Sequence, residues 1–322
     1  MLTIYDAQGQ GLVKRDSLEA CEAAVWIDLL NPSKEEERQV EGLLGIEMPT
    51  REEMHEIEVS SRLYQERGAH YMTATVIFQI DAPEPQSTAI TFILTEKHLV
   101  TLRYAEPRAF PLFLSRAGKG DTTCDSAIAV MLGLMEAIID READLIERLQ
   151  AETEKLAQTV FTMKGGASTR SRRYDVVLKQ IGKAGEVAAK ARESFLSLER
   201  VLTYLAQVAN ARKDADAVRR RIKTETRDVL SLSDHLTYLH ARITFMLEAT
   251  LGMVSIEQNQ IIKLFSVVSV MLMPPTLVAS IYGMNFKHMP ELEFTLGYPM
   301  ALVLMVLSAV LPFLYFRSKG WL

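Results

Sequence analysis

The segment Tyr282-Gly283-Met284-Asn285-Phe286, running on through Met289-Pro290-Glu291-Leu292 to Glu293, puts an amide, two thioethers and two carboxylates into a short polar stretch. It lies between two long apolar runs. A link of this kind between two membrane-crossing helices is exposed at the far membrane face, where a transport protein first meets its ion. The first run, Leu264–Ile281, has 18 residues and no formal charge. Extended to Asn285 it reaches the ~20 residues that cross a hydrocarbon core. The second, Tyr298–Phe316, has 19 uncharged residues. The short link requires the two to form a tight antiparallel pair.

Steps of three and four along the first run select Asn259, Ile262, Ser266, Ser269, Met273, Thr276 and Ser280, and five of these seven carry a hydroxyl or an amide. This spacing keeps to one helix face and makes a left-handed bundle seam. The flanking faces, with Leu264, Val267, Val268, Val270, Leu272, Leu277 and Val278, suit lipid or neighbouring helices. Small hydroxyl residues also let two membrane helices pack closely. Identical helices around an axis would use all seven positions as rings; one helix encloses nothing, so a pore needs an oligomer. Pro274-Pro275 in mid-span leaves the carbonyls of Val270 and Met271 without their usual donors. Those oxygens either line the axis or are served by Ser and Thr side chains at a kink. Ile262 and Phe265, near one mouth, are candidates for an apolar constriction that gates by dewetting, or for ordinary helix packing.

Lys263 precedes the first span, and Arg317 and Lys319 follow the second, while the link sets Lys287 against Glu291 and Glu293. The positive-inside tendency then puts both termini in the cytoplasm and the link outside. The start of the chain has no basic region followed by an apolar run, so no signal peptide is expected. The 322 residues are 48% hydrophobic and 24% charged, with a net charge of −5, which argues against nucleic-acid binding. Cys21 and Cys124 form no metal-ligand spacing. His55, His70, His98, His235, His240 and His288 show no paired zinc spacing; an exposed loop position explains His288 as well as a metal contact does. No nucleophile–base pair or Walker-type loop stands out, so neither an enzyme nor an organic cofactor is expected.

The elements that must position the link are legible in outline. Ala24–Leu29 reads as a buried strand; Ser33 with Glu36 is a capping box opening a helix to about Leu44, and Thr50 with Glu53 repeats the signal. Tyr71–Ile80 is β-rich, and Ala89–Thr95 with His98–Tyr104 forms a hairpin around Glu96-Lys97. From Ser126 the period becomes helical, with Ile128, Met131, Leu132, Met135, Ile138, Ile139, Glu142, Leu145, Ile146 and Leu149 on one stripe. A break at Gly165-Gly166 precedes a helix over Arg172–Asn210. A last long helix starts near Asp214 and continues to Ile281, about 68 residues or roughly 100 Å. The fold class is α+β, with a cytoplasmic mixed α/β domain over 1–125, a helical region with a stalk helix over 126–263, and a two-helix transmembrane domain over 264–322 with spans at about 264–284 and 298–316.

Ile256-Glu257-Gln258-Asn259-Gln260-Ile261-Ile262-Lys263, Pro274-Pro275-Thr276-Leu277-Val278-Ala279-Ser280, Tyr282-Gly283-Met284-Asn285, Met289-Pro290-Glu291-Leu292 and Gly297-Tyr298-Pro299 together resemble the CorA-type magnesium transporters. Trp26-Ile27-Asp28-Leu29 and Glu56-Ile57-Glu58-Val59-Ser60-Ser61-Arg62 also look family-like. The resemblance implies a funnel-shaped homopentamer in the inner (plasma) membrane. Its first span lines a channel, its second surrounds the first, and the Gly283-Met284-Asn285 link forms the ion entrance. It implies Mg²⁺, often also Co²⁺ and Ni²⁺, as cargo, and closure when cytoplasmic Mg²⁺ binds acidic residues between protomers. Met284 favours the magnesium branch over the zinc-transporting one.

In this picture Asn285 presents amide oxygens to the waters of a hydrated ion, since Mg²⁺ sheds water reluctantly. Gly283 supplies a backbone turn closed to other residues. Glu291 and Glu293 raise the local cation concentration, or are simply solvated loop residues. Glu225, Asp228 and Asp234 on the last long helix are the candidate regulatory Mg²⁺ ligands. The membrane potential suffices as energy source: a divalent ion gains about 4.6 kcal/mol per 100 mV. A membrane-anchored helical scaffold or sensor without conduction is the alternative from another class.

Overall fold

The computed structural model describes residues 1–8, 11–15, 24–120, 122–162, 167–212, 214–285, 289–290 and 294–321, with backbone alone at 167–172. The chain divides into two compact units, Met1–Met163 with Val176–Leu247, and Lys164–Asp175 with Glu248–Leu322.

The first unit is built on a seven-stranded mixed sheet. Its strands are β1 (Leu2–Gln8), β2 (Gly11–Arg15), β3 (Trp26–Leu30), β4 (Leu63–Glu66), β5 (Ala69–Phe78), β6 (Gln86–Leu94) and β7 (Leu99–Arg103), in the order β2-β1-β3-β7-β6-β5-β4. Only β3 and β7 run parallel, Trp26 facing Leu99 and Leu30 facing Arg103; the other neighbours are antiparallel. Successive residues of a strand face opposite sides. Ile27, Leu29, Ile93, Val100 and Leu102 therefore join one core cluster, which Val40, Ile46, Met48 and Met54 close. On the other side Trp26 stacks on Tyr5 at 4.6 Å and meets Phe110 and Phe113 at 6.2 and 5.7 Å between ring centroids.

Helix α1 (Lys34–Leu44) starts on the expected capping box: the Glu36 amide donates to Ser33 Oγ at 3.3 Å and the Ser33 amide to Glu36 Oε2 at 2.8 Å. The same reciprocal pair exists at Thr50 and Glu53, at 2.7 and 3.3 Å, but opens only a single 3-10 turn, Glu53–His55. No apolar stripe follows it to bury, so the start signal is not propagated. A four-residue helix, α2 (Val59–Arg62), leads into β4. Helix α3 (Ala109–Lys119) has no counterpart in the sequence reading; its buried Phe110 and Phe113 face Trp26 and the long helix α4 (Ala127–Thr162). Gly133 of α4 makes the α3 contact possible, because a Cβ there would stand 2.4 Å from the Phe113 ring.

Helix α5 spans Ala167–Ala211, starting five residues before the sequence-predicted Arg172, and α6 spans Asp216–Tyr282, 67 residues through Pro274 and Pro275. In the first unit α5 meets β5: the Thr75 amide donates to Ser197 Oγ at 2.7 Å, and Ser194 Oγ lies 2.8 Å from the Thr75 carbonyl oxygen. Helices α4 and α6 run parallel there, tied by Arg221–Glu136 at 2.7 Å, His235–Gln150 at 3.0 Å and Arg242–Glu154 at 3.6 Å. In the second unit α7 (Gly297–Ser318) returns beside α6. The Lys263 ammonium lies 5.7 Å from the Trp321 ring centre, so the start of one apolar stretch adjoins the end of the other.

Candidate functional site

In the second unit, the C-terminal part of α6 and the whole of α7 are long and apolar enough to cross a membrane. The side of α6 that the chain itself covers consists of Val267, which is 1% exposed, with the half-buried Met271, Pro274, Pro275, Val278 and Tyr282. At 100° per residue these positions share one face. The seven stripe residues Asn259, Ile262, Ser266, Ser269, Met273, Thr276 and Ser280 are all exposed, and the same arithmetic puts them about half a turn away. The half-buried and buried positions of α7 (Gly297, Ala301, Met305, Ser308, Ala309, Pro312, Phe313, Phe316) also form one face. Small residues there let backbones approach closely. Close packing thus falls to α7 and the opposite side of α6. The polar stripe is not used for it within the chain. Phe265 is exposed beside the stripe.

Thr276 Oγ1 donates to the Leu272 carbonyl at 2.7 Å. Its proton is thereby committed to the helix, and its lone pairs point outward as acceptors. Pro274 and Pro275 offer no amide to the carbonyls of Val270 and Met271. At the end of α6 the Gly283 amide donates to Ala279 O at 3.0 Å and the Met284 amide to Ile281 O at 3.2 Å. The carbonyl end of a helix carries partial negative charge. Here that end adjoins Gly283, Met284 and Asn285, all three exposed.

The expected special turn at Gly283 is corrected: Gly283 is not among the glycines with positive φ. Its constraint is proximity, since an added Cβ would stand 3.0 Å from the Ala279 carbonyl oxygen. Glu291 and Glu293 lie outside the described residues.

Glu225, Asp228 and Asp234 are not brought together. Asp228 and Asp234 are exposed, whereas Glu225 is 5% exposed and faces Arg221, whose Nε lies 3.4 Å from Glu225 Oε1. Burial pushes the Glu225 carboxyl up to about 8 against the pull of Arg221, and the nearby Glu136, Asp228 and Asp140 add to the rise. Among the described residues no three His, Cys, Asp or Glu side chains gather as a metal site.

A carboxyl that stands in the sequence as part of the α4 stripe is the most enclosed in the first unit among the described residues. Glu142, 1% exposed, accepts from the Ile77 amide at 2.9 Å and from Ser194 Oγ at 2.6 Å, joining α4, β5 and α5. Burial pushes it up to about 7, against those two hydrogen bonds. Its signal in the sequence is a carboxylate among apolar stripe positions. Asp28 is buried too, but it is fully matched: Arg103 donates from Nε at 3.0 Å and Nη2 at 2.7 Å, and Thr101 Oγ1 at 2.7 Å.

A sheet-based unit, and a second unit whose two apolar helices pack on one side and leave a polar face of α6 open, define a class: membrane proteins with a two-helix hairpin. The family model described as CorA-like Mg²⁺ transporter protein matches residues 22–318. The chain is 35% identical over 299 residues to the magnesium transport protein CorA of Salmonella typhimurium, covering 93% of this chain and 92% of that one. The figures are the same for the protein of that name from Escherichia coli. In fold it is similar to the CorA magnesium transporter of Methanocaldococcus jannaschii, with TM-score 0.77, 18% identity, and coverage of 100% of this chain and 99% of that one. The chain belongs to the CorA-like Mg²⁺ transporter family, and so is a membrane transporter and not an enzyme.

Proposed function

We propose that the protein is a channel-like transporter that passes Mg²⁺, and with it Co²⁺ and Ni²⁺, into the cytoplasm down the membrane potential. Copies of the chain, five in our reading, gather with α6 inside and α7 outside, in the funnel arrangement. Both termini lie in the cytoplasm, and the membrane is the inner (plasma) membrane. The observation that carries this is the opposition of faces on α6: the chain covers Val267, Met271 and Val278 and leaves Ser266, Ser269, Met273, Thr276 and Ser280 open. A polar face turned to lipid would be costly. Around a shared axis it becomes the wall of a wet path.

Mg²⁺ keeps its waters, and those waters donate hydrogens outward. A suitable wall therefore offers acceptors, as Thr276 does with its own proton tied to Leu272. Gly283, Met284 and Asn285 form the entrance, with the Asn285 amide oxygens facing the hydrated ion and the carbonyl end of α6 behind them. Glu291 and Glu293 concentrate cations outside it. Asn259 and Ile262 line the inner mouth, where Ile262 is the constriction. Cytoplasmic Mg²⁺ closes the path by bridging protomers at carboxylates, for which the exposed Asp228 and Asp234 suit better than Glu225 against Arg221. Mg²⁺ is thus both cargo and regulatory ligand.

The test is Mg²⁺ uptake into liposomes holding the purified full chain. Influx should rise with an inside-negative potential, and Asn285→Ala should lower it by about tenfold, the loss of roughly one hydrogen bond of charged character per step. Uptake indifferent to potential, or untouched by Asn285→Ala, would favour a membrane-anchored scaffold.

A further inference from the structure

Two surface features of the first unit match each other in apolar character and charge. One is the loop Glu56-Ile57-Glu58. Ile57 is 88% exposed, the most exposed large apolar side chain of the first unit among the described residues. The loop is nonetheless held: Arg62 Nε donates to the Glu56 carbonyl, and Arg62 Nη1 to Thr75 Oγ1 of β5 at 2.9 Å. Glu56 (φ −60, ψ 143) and Glu58 (φ −65, ψ 134) have polyproline-like backbone. Such a segment turns its side chains to three sides and rises about 3.1 Å per residue, so the two carboxylates flank Ile57 about 6 Å apart along the chain. Neither has a side-chain partner among the described residues.

The other feature is a cleft of about 490 Å³ between α5 and α6, with Ala206 and Ile222 among its apolar lining and Lys223, Arg227 and Leu230 among the residues around it. Among the described residues no carboxylate lines it. Arg219, also at the cleft, is paired with Asp216, but Lys223 and Arg227 have no partner among the described residues. One turn of helix apart, they too are separated by about 6 Å.

We propose that Ile57 of one copy of the chain seats in the α5–α6 cleft of the next copy, with Glu56 and Glu58 meeting Lys223 and Arg227. A preorganised apolar anchor flanked by charge is an economical contact, because little is lost in ordering it. Loop and cleft are different surfaces of one protein, so the contact is heterologous and repeats head to tail until a ring closes. It rests on the reading that the chain assembles with copies of itself, and specifies how the water-facing units engage.

The test is disulfide trapping in the full chain, in nanodiscs, with Cys21→Ser to lower background. Ile57→Cys with Ala206→Cys should give a ladder of covalent multimers on mild oxidation, and neither single variant should. Adding Lys223→Glu and Arg227→Glu should reduce the ladder roughly fivefold, and Glu56→Lys with Glu58→Lys should restore it. An oligomer of unchanged size that gives no ladder overturns the inference and leaves self-assembly standing. A ladder indifferent to charge reversal overturns the pairing. A monomeric protein in nanodiscs removes the self-assembly reading, and this contact with it.

Discussion

Glu142 sits among apolar neighbours on α4, where water cannot reach it, and the protonated form is the one the fold favours. Its folded value of about 7 lies above the ordinary 4.5, so between those limits the folded chain binds more protons than the unfolded one. The stability it contributes is complete below about pH 4.5 and is lost as pH rises through 7. At about 1.4 kcal/mol per pH unit the span is worth about 3 kcal/mol. Glu142→Gln keeps an acceptor for the Ile77 amide and removes the titration. Its thermal midpoint, compared with that of the unsubstituted protein, should therefore gain by several degrees between pH 5 and pH 8; a difference constant with pH would refute the assignment. Asp28 is the opposite case. It too is buried, but three donors from Arg103 and Thr101 surround it. A sequence shows a carboxylate in an apolar strand or stripe; whether donors reach it depends on residues 50 to 75 positions away, as Ser194 and Arg103 are.

At the scale of elements, β3 and β7 form the one parallel pair of the sheet, and the Asp28–Arg103 bridge crosses it with both side chains only 7% exposed. Breaking such a pair strands the remaining charge. Asp28→Ala should cost about 3–5 kcal/mol in urea unfolding. Helix α6 makes a sharper prediction, because neighbouring residues on it face different surroundings. Ser269→Leu, on the polar stripe, should reduce liposomal Mg²⁺ influx by about tenfold or more, as an apolar ring dewets a narrow path. Val268→Leu, roughly a third of a turn away, should leave it within about twofold. Equal effects at both positions would mean that the stripe lines nothing. The period of the stripe was readable along the chain, and so were both apolar stretches. The covered face was not: Val267 and Val268 are the same residue type in adjacent positions, and only the fold buries one and exposes the other. Helix α3 was missed because its burial depends on Trp26 and on the space above Gly133, neither of which is local to it.

At the scale of the whole molecule, the reading that both termini face the cytoplasm predicts that a maleimide label on Asn285→Cys reacts from outside intact cells, whereas one on Lys319→Cys reacts only after permeabilisation. The reverse pattern would invert the topology. Lys263 beside Trp321 places a basic and an interfacial aromatic residue together where one apolar stretch starts and the other ends. The chain by itself determined its two apolar stretches, the polar stripe, the capping box of α1 and the family-like link, because each is a local pattern whose physics acts within one or two helical turns. Tertiary structure decided which side of α6 is closed, which carboxyls lose water and which find distant donors, and that Glu225 is buried while Asp228 stays in solvent. Those outcomes depend on burial and on partners far along the chain. Neither exists until the elements pack.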